Sequence, residues 1–137
     1  MTEEKQFAII EELSAFEDWM DRYTYLIACA AELPPMPEEH KTKETLFPGC
    51  ASKVWLFLSR RDGRIFLECD SDSLIVKGLL SLYYRIFNGE TAESVAGTRL
   101  FFEKETGLAE HLPPDRLNGM AAFANEVRRF AGATELF

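Results

Sequence analysis

The chain is poor in cysteine and has no long apolar run. Its three cysteines, Cys29, Cys50 and Cys69, are an odd number at wide spacings, which argues against a disulfide framework and for a reducing cytosol. Neither they nor His40 and His111 fall into the close ligand pairs of a zinc site, so no metal is signalled. No apolar stretch approaches the roughly 20 residues that span a bilayer. The N-terminus, Met1-Thr2-Glu3-Glu4-Lys5, is acidic and lacks the apolar region of a signal peptide. The expectation is a soluble, cytoplasmic protein. Glycine-rich phosphate loops and Gly-x-Ser-x-Gly are also missing, which removes nucleotide-binding and α/β-hydrolase readings. Positive charge is scarce: 15 Lys and Arg against 23 Asp and Glu give a net charge of -8. Such a chain is repelled by phosphate backbones and anionic membrane surfaces, so neither nucleic acid nor membrane is an expected partner. Acidic pairs such as Glu38-Glu39 read as solvated faces rather than catalytic carboxylates.

What is present suffices for one core. The chain has 137 residues, 47% of them hydrophobic, the usual size of one domain, so residues 1–137 read as a single unit. Residues 3–33 have helical periodicity, with Phe16, Trp19, Met20, Tyr23, Leu26, Ile27 and Ala30 on one face. Ser14, with Glu17 three residues on, predicts a capping box for a second helix after a short break. Leu33-Pro34-Pro35 ends it. Residues 51–59 and 64–69 predict paired strands around Asp62-Gly63, a tight hairpin turn. The first is apolar on both faces and reads as interior to a sheet. Asp70-Ser71-Asp72-Ser73 signals the start of a central helix ending near Phe87, before Asn88-Gly89. Gly78 within that helix predicts close backbone packing. Short helices and turns follow over 90–105. Pro113-Pro114-Asp115 opens a last helix, whose buried stripe is read as Leu117, Met120, Ala121, Phe123, Ala124, Val127, Phe130 and Ala131. Helices, hairpin, helices, without βαβ alternation, predict an α+β fold: a small antiparallel sheet covered by helices.

One residue stands apart chemically. Cys50 follows Pro48-Gly49 and precedes the apolar run Val54-Trp55-Leu56-Phe57-Leu58. Pro48 fixes its φ and Gly49 permits angles other residues avoid, so the turn can hold a thiol at the tip of a loop. Lys43 and Lys53 lie near in sequence, where they can favour the thiolate that acts as nucleophile. The residues alone leave open whether Cys50 is reactive or an inert loop cysteine. Cys29, among Ile27, Ala28, Ala30 and Ala31, reads as a small buried hydrophobe. Cys69, at a strand end, reads as packed or partly exposed. His40 and His111 read as surface or capping residues.

The stretch Phe47-Pro48-Gly49-Cys50-Ala51-Ser52-Lys53-Val54-Trp55 resembles the Gly-Cys-x-Ser-x-Val-Trp signature of the SufE family, sulfur acceptors for cysteine desulfurases. Asp70-Ser71-Asp72-Ser73-Leu74-Ile75-Val76-Lys77-Gly78 is similar to the family's Asp-Ser-Asp-Ala-x-Ile-Val-Lys-Gly. Residues Gly107 to Gly119 are similar to Gly-Leu-x-x-His-Leu-Ser-Pro-Ser-Arg-x-Asn-Gly, with Pro114-Asp115 in place of Pro-Ser. The resemblance runs from about residue 10 to the end and implies a SufE/IscU-like fold. It also implies that Cys50 takes sulfur as a persulfide from a pyridoxal-phosphate cysteine desulfurase of the SufS kind. Cys50 would then speed that enzyme's turnover and pass the sulfur to a SufBCD-type cluster assembly complex. The cofactor belongs to the partner, and this chain needs no metal or cofactor. Arg116 matches the family arginine and is implied in docking or in holding the Cys50 loop. Gly49 and Asp72 are implied as loop or partner-interface residues. A monomer and a homodimer are both open. Two other readings stand beside this one: an IscU-like iron-sulfur scaffold, which needs several cysteine ligands, and a thiol peroxidase or peptidase, which lacks a base beside Cys50.

Overall fold

The computed structural model describes residues 2–47 and 52–133; Gly49 and Cys50 lie outside these described residues. Two helices open the chain, α1 (Thr2–Ser14) and α2 (Trp19–Cys29). The helical run is broken as expected, but the break follows Ser14 instead of preceding it: Ser14 is the last residue of α1 and caps nothing. Asp18 caps α2, its carboxylate accepting the Met20 N–H at 3.0 Å. A carboxylate so placed also meets the positive end of the helix dipole, which a serine hydroxyl does not exploit. One 3₁₀ turn, Ala30–Glu32, carries the chain to Leu33-Pro34, where the helical path ends.

The strands β1 (Val54–Arg61) and β2 (Arg64–Ser71) pair antiparallel, from Arg61 opposite Arg64 to Val54 opposite Ser71. Asp62 and Gly63 form the two-residue turn with φ of 53° and 75°. Both positive values match the type I′ geometry that suits a twisted hairpin, and that turn fixes the register. The expectation that β1 lies inside a sheet is corrected: among the described residues the sheet has only these two strands. Both faces of β1 are apolar for another reason. One faces the core, where Val54 and Leu56 are buried. The other is roofed by the loop before it, with the His40 ring stacked on Phe57 at 4.4 Å and the Lys41 ammonium 5.4 Å from the Trp55 ring.

Helix α3 (Leu74–Phe87) is central, as its wide apolar arc predicts: Leu79, Leu80, Leu82, Tyr83, Ile86 and Phe87 are all buried. Burying each such side chain contributes about 1.5–3 kcal/mol. Ser73 caps the helix by accepting the Val76 N–H. Gly78 is where α2 and α3 touch backbone to backbone; a Cβ there would stand 2.0 Å from the Leu26 carbonyl oxygen. At the other end, the Asn88 side chain accepts the Leu67 N–H at 2.8 Å and so binds the helix end to β2.

Short helices α4 (Ala92–Ala96), α5 (Phe102–Glu105) and α6 (Leu108–His111) lead to α7 (Pro114–Phe130). Pro114 stands in the first turn of α7, where its missing N–H costs nothing. Met120, Phe123, Ala124, Val127 and Ala131 are buried as read. Ala121 and Phe130 are exposed instead, and Leu117 is half-buried. The helix packs along one side only, and the buried stripe is narrower than the apolar residues suggest. Arg128 takes one of the buried places, its guanidinium donating to the Ala96 carbonyl at 3.1 Å.

Candidate functional site

The two stems that carry Cys50 are held by different chemistry. Upstream, Phe47 N–H donates to the Val54 carbonyl at 2.7 Å and Leu56 N–H to the Thr45 carbonyl at 2.8 Å. Leu46 bridges Trp55 in antiparallel sense, so residues 45–47 behave as a fragment of a third strand on the outer edge of β1. The Thr45 hydroxyl donates to the His40 carbonyl at 2.5 Å and accepts the Thr42 N–H at 2.9 Å, which fixes the turn leading into that fragment. The Phe47 ring meets Phe123 of α7 edge-on, with centroids 6.1 Å apart.

Downstream, Lys53 is the anchor. Its N–H donates to Asp72 Oδ1 at 3.0 Å, while its carbonyl accepts the Ser71 hydroxyl at 2.7 Å and the Asp72 N–H at 3.3 Å. The residues between β2 and α3 thus cap the helix and also clasp the chain just after Cys50. Beneath them Asp70 is buried; its carboxylate meets Lys41 at 2.6 Å and Lys77 at 3.2 Å and accepts the Ser71 N–H at 2.8 Å. Burial alone would raise the Asp70 pKa, but the two ammonium groups and the backbone donor outweigh it and hold the carboxyl below its ordinary range. Asp70 therefore stays charged and ties the 38–45 loop, β2 and α3 together.

Of the residues singled out from sequence, Asp72 lies between β2 and α3 and is exposed, where its carboxylate clasps the downstream stem at Lys53. Arg116 lies in the first turn of α7, half-buried, and makes no ion pair with Asp72 among the described residues. The Lys53 side chain is exposed on the downstream stem and Lys43 is exposed before the upstream one. Gly49 and Cys50 fall between the stems and outside the described residues.

The other thiols are set apart. Cys29 is buried, and burial raises its pKa most strongly, against a lowering contact with Tyr25. Cys69 is buried in the sheet and pushed up to about 12, by burial first and by the Asp70 charge second. Both thiols therefore remain protonated at neutral pH. Among the described residues no three His, Cys, Asp or Glu side chains gather as a metal would require. The histidines serve packing: His40 pairs through Nδ1 with Glu68, and His111 stacks on Trp19 at 3.7 Å while its Nδ1–H donates to the Gly107 carbonyl at 2.9 Å.

Sequence reasoning missed the clasp on Lys53 and the Lys41–Asp70–Lys77 cluster. The clasp had a signal. With a two-residue turn at Asp62-Gly63, counting outward along the hairpin sets Val54 opposite Ser71 and brings Lys53 to Asp72. The Lys41 contact had none, since a loop side chain reaches it over the sheet.

Comparison with known proteins agrees with this architecture. The family model described as SufE, Fe-S metabolism associated domain, matches residues 7–131. The chain belongs to the SufE family. An uncharacterized SufE-like protein of Rhizobium meliloti (strain 1021) is 36% identical over 128 residues, covering 88% of this chain and 89% of its own. A second, of Rhizobium etli, is 35% identical over 130 residues, covering 90% of this chain and 86% of its own. A solution structure of a hypothetical protein from Thermus thermophilus has the same fold, with a TM-score of 0.75 over 93% of both chains at 22% identity. SufE membership places the chain in iron-sulfur metabolism, as an accessory of sulfur transfer that works with a cysteine desulfurase. Among the described residues, no helix is long and apolar enough to cross a membrane.

Proposed function

We propose that Cys50 is a sulfur carrier for a pyridoxal-phosphate cysteine desulfurase. The Cys50 thiolate attacks the terminal sulfur of the enzyme's persulfide, the old S–S bond breaks, and the enzyme's thiolate leaves. A new S–S bond makes the Cys50 persulfide, with no net oxidation or reduction. Relieving the enzyme of its sulfur stimulates its turnover, and the persulfide is delivered to a SufBCD-type cluster assembly complex. The protein acts as one SufE-like domain in the cytoplasm, without a cofactor or catalytic cycle of its own.

The observation that carries this reading is the mounting of Cys50 within the family signature, between stems anchored at Phe47 and Lys53. The burial of Cys29 and Cys69 supports it, because neither offers a thiolate to a partner. Asp72 supports the chain after Cys50 through Lys53, and Gly49 and Arg116 are assigned to loop support or docking. The test is transfer of label from radiolabelled cysteine in the presence of a cysteine desulfurase. Label should sit on Cys50 and be absent from Cys50→Ser; full labelling of Cys50→Ser overturns the assignment.

A further inference from the structure

β1 has one edge that is only partly used. β2 occupies the inner edge along its whole length, and residues 45–47 pair with the outer edge only near Trp55. The turn at Thr42–Thr45 then takes the chain away. By the alternation these bonds establish, Leu58 points its N–H and C=O outward like Leu56, and the Leu56 carbonyl points the same way. Among the described residues, none of these three groups has a hydrogen-bond partner. Buried backbone groups are rarely left so; on an edge they mark a place where another strand can pair.

Beside this edge lies a groove of about 550 Å³, between Leu46, Phe47, Leu56 and Leu58 on one side and Ala122, Asn125, Glu126 and Arg129 of α7 on the other. Further along β1, the Arg60 guanidinium donates to the Ala131 carbonyl at 3.2 Å and ties the strand to the residue after α7. Phe47, on the upstream stem of the Cys50 loop, lines the groove as well. The volume is that of a site for one small ligand or short peptide. Open donors and acceptors in a row select a peptide backbone, and the apolar floor selects side chains at alternate positions. The rim carries Glu44, and Glu126 paired with Arg129, on a chain of net charge -8. A basic segment is therefore the favoured guest.

We propose that an extended, basic segment of the cysteine desulfurase pairs with β1 at Leu58 as an added strand, seated between β1 and α7. This rests on the reading of the desulfurase as partner, and it assigns where that enzyme grips the carrier apart from the Cys50 loop. The pairing aligns the enzyme with the loop, since the loop's upstream stem lines the groove.

The test uses the full ¹⁵N-labelled chain with a cysteine desulfurase from the same organism, followed by amide hydrogen exchange. Alone, the Phe57 and Ser59 amides, bonded to β2, exchange slowly while Leu58 exchanges fast. In the complex, the Leu58 amide should slow by tenfold or more. Leu58→Pro removes an outward donor that the chain itself does not use, and it should weaken desulfurase affinity about tenfold. Its Cys50 should still take sulfur from cysteine persulfide at the wild-type rate. Should proline disturb the hairpin, Leu58→Lys provides the second variant, and the exchange result on the wild type stands without either. A complex in which Cys50 is labelled but Leu58 exchanges at its free rate overturns the proposal and leaves the carrier reading intact. So does protection of Leu58 by self-association without the desulfurase. If no desulfurase binds or labels the chain, the carrier reading falls and takes this proposal with it.

Discussion

The main-chain N–H of Lys53 is held by the Asp72 carboxylate at 3.0 Å, so the residue three places after Cys50 is anchored to the entrance of α3. The bond is exposed, and its loss should cost about 1 kcal/mol. Asp72→Ala should lower the rate of Cys50 labelling several-fold, with a melting temperature reduced by a few degrees. Asp72→Asn keeps an oxygen acceptor and should recover most of the rate. Time courses of label transfer for the three proteins decide it; a wild-type rate in the alanine variant would show that the clasp is not used.

Gly78→Ala tests the α2–α3 contact. The added methyl would meet the Leu26 carbonyl at 2.0 Å, and backbone on both sides cannot turn aside as a side chain can. The helices must separate, at a cost of about 3 kcal/mol, the upper end of what overpacking causes. Urea denaturation measures this directly, and a variant within about 0.5 kcal/mol of wild type would contradict the packing.

Thiol accessibility provides a third expectation. In the native protein Cys29 and Cys69 should resist iodoacetamide, and all three thiols should react after denaturation, counted by mass. The Cys69 thiol ionises near 12 when folded and at its ordinary value of 9.0 when unfolded. The unfolded chain therefore releases this proton first as the pH rises. The stability contribution is fully present below about pH 9 and is lost progressively toward pH 12. Cys69→Ala should flatten that alkaline decline in a series of denaturation curves.

On the acid side Asp70 has the opposite sign. Its folded pKa lies below the ordinary 3.8, so its contribution is present at neutral pH. It begins to fade as the pH falls toward 4 and is gone once the carboxyl is protonated in both states. Asp70→Asn removes the pairs with Lys41 and Lys77 and should be less stable at pH 7, converging with wild type at an acid pH below the folded pKa. Parallel curves at both pH values would exclude the ion pairs as the source.

Features written in neighbouring residues were legible in the sequence. Asp62-Gly63 specified its turn, Ser73 its helix, Pro114 the start of α7, and a lone glycine in an apolar helix announced a close approach. Choices between equivalent local signals were not. Ser14 and Asp18 are both competent caps four residues apart, and only the path of the chain selects Asp18. β1 looked interior because apolar faces do not say what covers them; here a loop bearing His40 and Lys41 does so, where a strand was expected. The same blindness to distant partners hid Lys41 from Asp70. Cys50 is the reverse case, a residue whose proposed role rests on its motif and on the anchoring of the chain on either side.

The closeness of those anchors bears on how sulfur is handed over. Cys50 is two residues from Ser52, and covalent geometry alone keeps their Cα atoms within about 7 Å of each other. Any sulfur that Cys50 carries is leashed to the mouth of the hairpin and cannot be swung from one side of the molecule to another. In the proposed relay, donor and acceptor must therefore call in turn at a single berth, each leaving before the other arrives, and an excess of either should slow transfer through the pair.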